Sequence, residues 1–373
     1  MTGAVRLLAA SSPGEVRVAA MDAAGLLDYA IWRPGAPDGV GDVHRGRVAA
    51  RMPALAGAFV VLEASPDGFL PDSEGGAEAT EGQALLVRIT RAAQGGKGPR
   101  LSARLAGIPA AEAEDRGPPR LLRRGPGAAE RLAVLHPEAP LLVDDPALAA
   151  SLRPALGDRV AVDLNAFDDE IEELVEALAS PEAVLPGGMR ASFHPTPALT
   201  AIDLDTGAAS ALRQPKQAAQ MAANRAALPE LARQIRLRNL SGAILVDLAG
   251  LSPRRRGALG PDLAGALASD PLRPRLLGFT ALGLAEIVRA RVHPPLHELL
   301  AGPHAAGLAA LRRVAAELAS RPGWAPALRA APGVATALRG DPVALPDLAR
   351  RAGRALMLRA DPALPPLGWT LEE

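Results

Sequence analysis

Three features of this 373-residue sequence specify a multi-domain α/β chain with a small β-barrel near its N-terminus. Between residues 41 and 105, five short β-prone runs are punctuated by Gly and Pro, as in an OB-type barrel. Between residues 190 and 292, strand-like runs alternate with helix-like stretches, as in an α/β layer. Two of those runs, Ala201-Ile202-Asp203-Leu204-Asp205-Thr206-Gly207 and Gly242-Ala243-Ile244-Leu245-Val246-Asp247-Leu248, are apolar and end in acidic residues. That is the pattern of a buried strand whose C-terminal end presents a carboxylate at a cleft.

In chain order, runs 5–10, 15–20 and 26–32 predict a meander turning at Gly14 and Gly25. The barrel strands are expected at 43–48, 57–62, 68–70, 83–90 and 100–105. Residues 108–138, rich in Pro, Gly and Arg, are expected to form a connector with one short helix. A strand at 141–144 and a helix at 146–156 follow. Residues 167–179 (FDDEIEELVEALA) predict an amphipathic helix with acids near its N-terminus, where the dipole favours them. Strands are expected at 190–193, 198–204, 243–248 and 275–279. Helices are expected at 211–238, with Pro215 and Pro229 marking turns or kinks, and at 254–269 and 284–292. The Ala/Leu/Arg/Pro-rich tail from 294 reads as mostly helical.

Lys+Arg and Asp+Glu balance at 41 each, so an anionic partner must be met by local arginine clusters rather than a global field. Lys97 and Lys216 are the only lysines. With no cysteine, disulfides and thiolate zinc sites are excluded. The N-terminus lacks the apolar core of a signal peptide. No run of about 18 apolar residues predicts a membrane span, so the cytoplasm is the expected compartment. Asp203 and Asp247 are hard oxygen donors suited to Mg²⁺. Asp205, two residues on, shares Asp203's face of an extended strand. The same positions also suit ordinary turn-capping aspartates.

In this order along the chain, several segments resemble the bacterial ribonuclease E/G family. They are Gly41-Asp42-Val43-His44-Arg45-Gly46-Arg47-Val48; Ala58-Phe59-Val60 with Gly68-Phe69-Leu70-Pro71; Gly96-Lys97-Gly98-Pro99-Arg100-Leu101; residues 200–207; residues 231–240 with Gly242, Val246 and Asp247; and Leu282-Gly283-Leu284 with residues 289–291. The resemblance covers most of 1–110 and 185–300. It implies an RNase H-like subdomain (1–36 and 139–182) with an inserted OB/S1-like barrel (37–107) and a reduced connector (108–138). A DNase I-like catalytic subdomain (183–298) and a helical C-terminal region (299–373) complete it. By resemblance, Asp203 and Asp247 ligate Mg²⁺, and Asp205 helps place water or phosphate. Phe59, Phe69 and Lys97 hold RNA. Apart from the resemblance, Arg289 and Arg291 are candidates by their charge to line a channel for the RNA backbone.

Three departures matter. Asp205 stands where the family usually has Asn, which leaves three roles open: ligand, base, or repulsion of phosphate. The segment needed for a 5′-monophosphate sensor looks absent. The family's zinc-link cysteines are replaced by Gly302-Pro303-His304-Ala305, so no structural zinc is expected, and any homodimer must rest on packing.

Phe59 and Phe69 are two of only five phenylalanines in the chain, so both falling in one small barrel favours base stacking over plain core burial. Lys97 sits in a glycine turn suited to a phosphate contact or to solvent. Arg254, Arg255 and Arg256 read as a helix start or as channel lining. Arg233, Arg236 and Arg238 fall on different helix faces, so at least one is expected to pack or pair with acids. His293, His297 and His304 lack the neighbouring acids of a metal site. The expected function is Mg²⁺-dependent endonucleolytic cleavage of single-stranded RNA in rRNA processing or mRNA decay. An activated water would attack the phosphodiester and leave a 5′-phosphate. The alternative is a catalytically impaired RNA-binding protein derived from that family.

Overall fold

The structure, a computed structural model, describes residues 4–63, 65–105, 117–206, 216–321 and 323–372, and divides into two compact units. One comprises residues 1–37, 128–290 and 295–373, and the other 38–127 with 291–294.

The first unit opens with the expected meander: β1 (Arg6–Ser12), β2 (Glu15–Asp22) and β3 (Gly25–Trp32), antiparallel in sequence. β1 is buried along nearly its whole length, because it becomes the centre of a sheet covered on both faces.

The second unit is the barrel. Its strands are β4 (Val43–Met52), β5 (Gly57–Val61), β6 (Gly68–Pro71), β7 (Ala84–Arg91) and β8 (Arg100–Ser102). They pair in the order β5-β6-β8-β7-β4, and β4 closes back on β5. The ten-residue β4 pairs with β7 through its first half and with β5 through its second. A five-stranded closed barrel of OB type results, filled by Val48, Ala58, Val60, Leu62, Leu70, Val87, Ile89 and Leu101. Gly68 is required here, since a Cβ would lie 2.5 Å from Leu101. A further strand, β9 (Arg120–Arg123), pairs with β4 and lies within the stretch read from sequence as a connector. Residues 106–116 fall outside the described residues.

The first unit resumes with α1 (Ala128–Leu135), β10 (Leu141–Val143), α2 (Pro146–Leu156), β11 (Val160–Val162) and α3 (Asp169–Ala177). β10 joins β1 in parallel and β11 joins β10, giving the order β11-β10-β1-β2-β3. Helices α1 and α2 cover one face, while α3, Leu237 and Leu296 cover the other. The aspartates before α2 and α3 act as N-caps: Asp145 accepts from the N–H groups of Ala147 and Leu148, and Asp168 from Ile171.

A second sheet follows, built from β12 (Glu182–Leu185), β13 (Met189–Pro195), β14 (Thr200–Asp205), β15 (Gly242–Asp247), β16 (Arg275–Phe279) and β17 (Ala285–Arg289) in the order β12-β13-β14-β15-β17-β16. Its helices are α4 (Lys216–Leu237), α5 (Pro253–Arg256) and α6 (Gly260–Leu267). Residues 211–215 of the expected helix lie outside the described residues, and Pro229 sits inside α4. Inward side chains from every strand, including Ala191, Phe193, Ile202, Leu204, Ile244, Val246 and Ile287, pack on α4 and α6. The alternate side chains face outward and are half-buried or exposed along β14 and β15.

Two expectations are corrected. The stretch 284–292, expected as a helix, is strand β17. Its Leu, Ala, Glu and Arg favour helix, but paired edges on β15 and β16 capture it, and its burial alternates with period two. The C-terminal region is not simply helical. Around α7 (Leu296–Leu299), α8 (Gly302–Ser320), α9 (Pro332–Gly340) and α10 (Ala344–Ala352) runs a three-stranded sheet. Its strands are β18 (Ala327–Ala330), β19 (Met357–Ala360) and β20 (Trp369–Glu372), in the order β19-β18-β20. Runs such as ALRA carry no strand signal of their own; pairing supplies it. Among the described residues, no helix is long and apolar enough to cross a membrane.

Candidate functional site

The outward face of the second sheet brings the expected carboxylates together. β14 and β15 are parallel, and Asp203 is the register partner of Asp247. Side chains opposite one another on adjacent strands share a face, about 4.8 Å apart along the hydrogen-bonding direction. Continuing the row outward, Ser192 lies opposite Asp203 and Glu182 opposite Ser192. Asp205 shares this face one step along, opposite Arg190. Asp203 and Asp205 are exposed, whereas their neighbours Ile202 and Leu204 are buried on the other face. The strand alternation thus delivers acids outward and aliphatics inward.

Asp203 has no hydrogen-bond or ion-pair partner among the described residues, while Asp247 is paired at 2.6 Å with Arg256. Arg256 is itself fixed. Its Nε donates to the Leu251 carbonyl at 2.8 Å, and a terminal nitrogen reaches the Gly283 carbonyl at 3.4 Å. The turn after Asp247 is held from below by Asn224 of α4, fully buried, whose amide bonds both the N–H and the C=O of Ala249. Gly250 is needed in that turn. Its φ is +61°, and a Cβ would run into Gln220 at 2.2 Å. Sequence reasoning missed Asn224 and this role of Arg256. The Arg triplet was a visible signal, but nothing local says which arginine turns back to Asp247.

Among the described residues, no group of three or more His, Asp or Glu side chains is placed to hold a metal ion. Two adjacent carboxylates still fit Mg²⁺, which is commonly held by one or two carboxylates while water and substrate phosphate complete its shell.

The barrel places its aromatic pair on an outward row. Phe59 and Phe69 are direct cross-strand partners, both half-buried, with ring centroids 5.7 Å apart in an edge-to-face arrangement at 64°. The row continues to Arg100, opposite Phe69, and to Arg91, opposite Arg100. Arg291 joins them, held by Gln94 at 2.9 Å and brought in by the bond from the Ala92 N–H to the Val292 carbonyl. Burial, then the charges of Arg100 and Arg291, lower the Arg91 pKa from its usual value. No acid is paired with Arg91, Arg100 or Arg291 among the described residues, and the buried Arg91 Nε has no partner. Three unbalanced guanidiniums beside two aromatic rings suit an anion that also carries flat rings. Lys97 is exposed on the tight turn closed by its reciprocal backbone bonds with Gln94. Arg91 and Arg100 were missed in sequence because only the β7–β8 register aligns them with the rings.

Other expected residues play different parts. Arg289 is buried and therefore does not line a surface path. Its guanidinium bonds Asp270 at 2.7 Å, Asn239 at 2.7 Å and the Leu240 carbonyl at 3.2 Å. Arg233 pairs with Glu230 and reaches the Leu26 carbonyl, and Arg236 grips Asp28. Arg238 lies 4.5 Å from the Phe193 ring centre. All three tie elements of the first unit together. Contrary to the reading from sequence, two of the three histidines do have acidic neighbours, His293 bonding Asp38 and His304 bonding Asp341.

A closed five-stranded barrel with an aromatic and cationic outer row, and an α/β layer whose outward face carries an aligned carboxylate pair, define this chain as a multi-domain α/β protein. Residues 153–292 match the sequence profile of the ribonuclease E/G family. The chain is 25% identical over 395 positions to ribonuclease E of Escherichia coli strain K12, covering 78% of this chain and 37% of that protein. It is 32% identical over 154 positions to ribonuclease E of Nostoc sp., covering 40% and 22% respectively. To ribonuclease G of Escherichia coli strain K12 it is 31% identical over 157 positions, covering 42% and 31%. The chain thus spans well under half the length of these relatives.

Proposed function

We propose that this protein is an endoribonuclease that cuts single-stranded RNA internally, with Asp203 and Asp247 holding a divalent cation, Mg²⁺ in the cell. The observation that carries this reading is the register pairing of Asp203 with Asp247 on an outward sheet face. The names of the relatives support RNA as substrate and an endonucleolytic role in RNA processing. The strand order β11-β10-β1-β2-β3 supports an RNase H-like subdomain interrupted by the barrel, and the β12–β17 layer a DNase I-like one. The expected setting is the cytoplasm.

When bound, the cation supplies Lewis acidity and neutralises charge on the phosphoryl group. The protein's own groups do the rest. Asp205, facing outward beside Asp203, accepts a hydrogen bond from the attacking water and orients it, leaving a 5′-phosphate on the product. Phe59 and Phe69 stack on unpaired bases, while Arg91, Arg100, Arg291 and Lys97 meet backbone phosphates. No thiolate zinc link is available, so a dimer would be held by packing alone.

The test is cleavage of an end-labelled single-stranded RNA in Mg²⁺ by the natural protein and by Asp203→Asn. Discrete internal cuts by the natural protein, lost in the variant, are expected. Undiminished cutting by the variant sinks the metal assignment. In parallel, Phe59→Ala and Phe69→Ala should each weaken RNA binding by about 1–3 kcal/mol.

A further inference from the structure

We infer that Arg256 is a built-in counter-cation for Asp247 that keeps the candidate metal position weakly charged until an RNA phosphate competes with that carboxylate for the guanidinium. This rests on the reading that Asp203 and Asp247 hold a divalent ion.

The two carboxylates are register neighbours, yet only one is neutralised. Asp247 carries Arg256 at 2.6 Å, and Asp203 stands exposed without a partner among the described residues. The pair is not a loose surface contact. Arg256 is 14% exposed and anchored to the Leu251 and Gly283 carbonyls, at the end of the short helix α5 that follows the turn clamped at Ala249 by buried Asn224. A preset guanidinium loses little rotamer freedom in pairing, unlike a typical exposed ion pair.

Of the other charges on this face, Glu182, Asp205 and Glu286 are acidic, and the cation Arg190 stands opposite Asp205 rather than Asp247. Asp203 faces Asp247 directly, and Glu286 sits opposite Leu245, one step along β15. Asp203 and Asp247 together offer two negative charges, and Arg256 removes one. The attraction for a divalent ion falls accordingly. A guanidinium binds a phosphate through the same planar fork that it uses for a carboxylate. An RNA phosphate arriving at this face therefore offers Arg256 a second partner and returns the full charge of Asp247 to the site. The consequence is positive coupling: RNA tightens metal binding and metal tightens RNA binding by the same factor.

The experiment uses Mn²⁺ as probe, with free ion measured by its electron paramagnetic resonance signal. The natural protein, Arg256→Gln, Arg256→Lys and Asp203→Asn are titrated with and without a short, fully 2′-O-methylated single-stranded RNA. Without RNA, Arg256→Gln should bind Mn²⁺ about tenfold tighter than the natural protein. Arg256→Lys, which keeps the charge, should stay within about threefold of it. RNA should tighten Mn²⁺ binding several-fold in the natural protein and far less in Arg256→Gln. A folded Arg256→Gln with equal or weaker affinity overturns the inference. So does an absence of RNA-dependent tightening in the natural protein, a readout that holds even if the glutamine variant fails to fold. Asp203→Asn separates the two layers. If it keeps natural Mn²⁺ affinity, the metal assignment itself falls; if it loses affinity while Arg256→Gln matches the natural protein, only the role of Arg256 falls.

Discussion

The two large sheets of the first unit are built from similar residues and put to opposite uses. The β11-β10-β1-β2-β3 sheet is clad on both faces, by α1 and α2 on one side and by α3 with Leu237 and Leu296 on the other. Among the described residues, the hydrophobic packing of the β12–β17 sheet lies on one face. In the first, β1 must be apolar along its length and has no room for exposed chemistry. In the second, strict alternation frees every other residue, and the acids of β14 and β15 occupy those free positions in register. Stability therefore resides in the inward face and the candidate chemistry in the outward one.

Substitutions can break this division or sharpen it. The largest effect is expected from Asp203→Asn, a loss of cleavage on the order of a hundredfold or more, with thermal stability nearly unchanged because the side chain is exposed. A melting temperature that falls along with activity would erase the contrast. Arg289→Met and Leu141→Ala should do the reverse. Arg289→Met leaves Asp270 as an unpaired buried charge and should cost about 3–5 kcal/mol of stability, measured by urea unfolding. Leu141→Ala, in the doubly clad sheet, should cost about 2–5 kcal/mol while the folded fraction cuts RNA normally.

A smaller effect, dependent on pH, separates the sheets further. Burial pushes the Asp144 carboxyl up to about 6, opposed by the Ser11 N–H that donates to it. The folded state thus holds this proton more tightly than the unfolded chain does. The stability it contributes is complete at low pH, below the unfolded carboxylate's range, and is lost as pH rises through about 6. Asp144→Asn should therefore stabilise the protein at about pH 8, by on the order of 1–2 kcal/mol, and leave it unchanged near pH 4. Thermal melts across that range decide it. The smallest effect is expected at Asp205. Asp205→Asn removes one negative charge that an incoming phosphate meets and should raise cleavage about threefold. A rise of a hundredfold would instead mark the natural chain as a catalytically impaired RNA binder.

Much of this protein was legible in the order of its residues. The meander, the five barrel strands, the span of α2 and the strands carrying Asp203 and Asp247 all follow from local alternation, Gly and Pro punctuation and capping aspartates, which act over a few residues. The family resemblance was carried by the same short runs. Tertiary structure alone decided three things. It made 284–292 a strand, because two neighbouring edges outweighed helix propensity, and so turned Arg289 inward onto Asp270. It paired ALRA, MLRA and the terminal strand into a sheet where composition reads as helix. And it aligned Arg91 and Arg100 with Phe69, and turned Arg256 back onto Asp247. Each of these depends on register or on a turn between distant residues. A pattern read along the chain fixes which face a side chain can take, but only the pairing of strands fixes which side chain stands beside it.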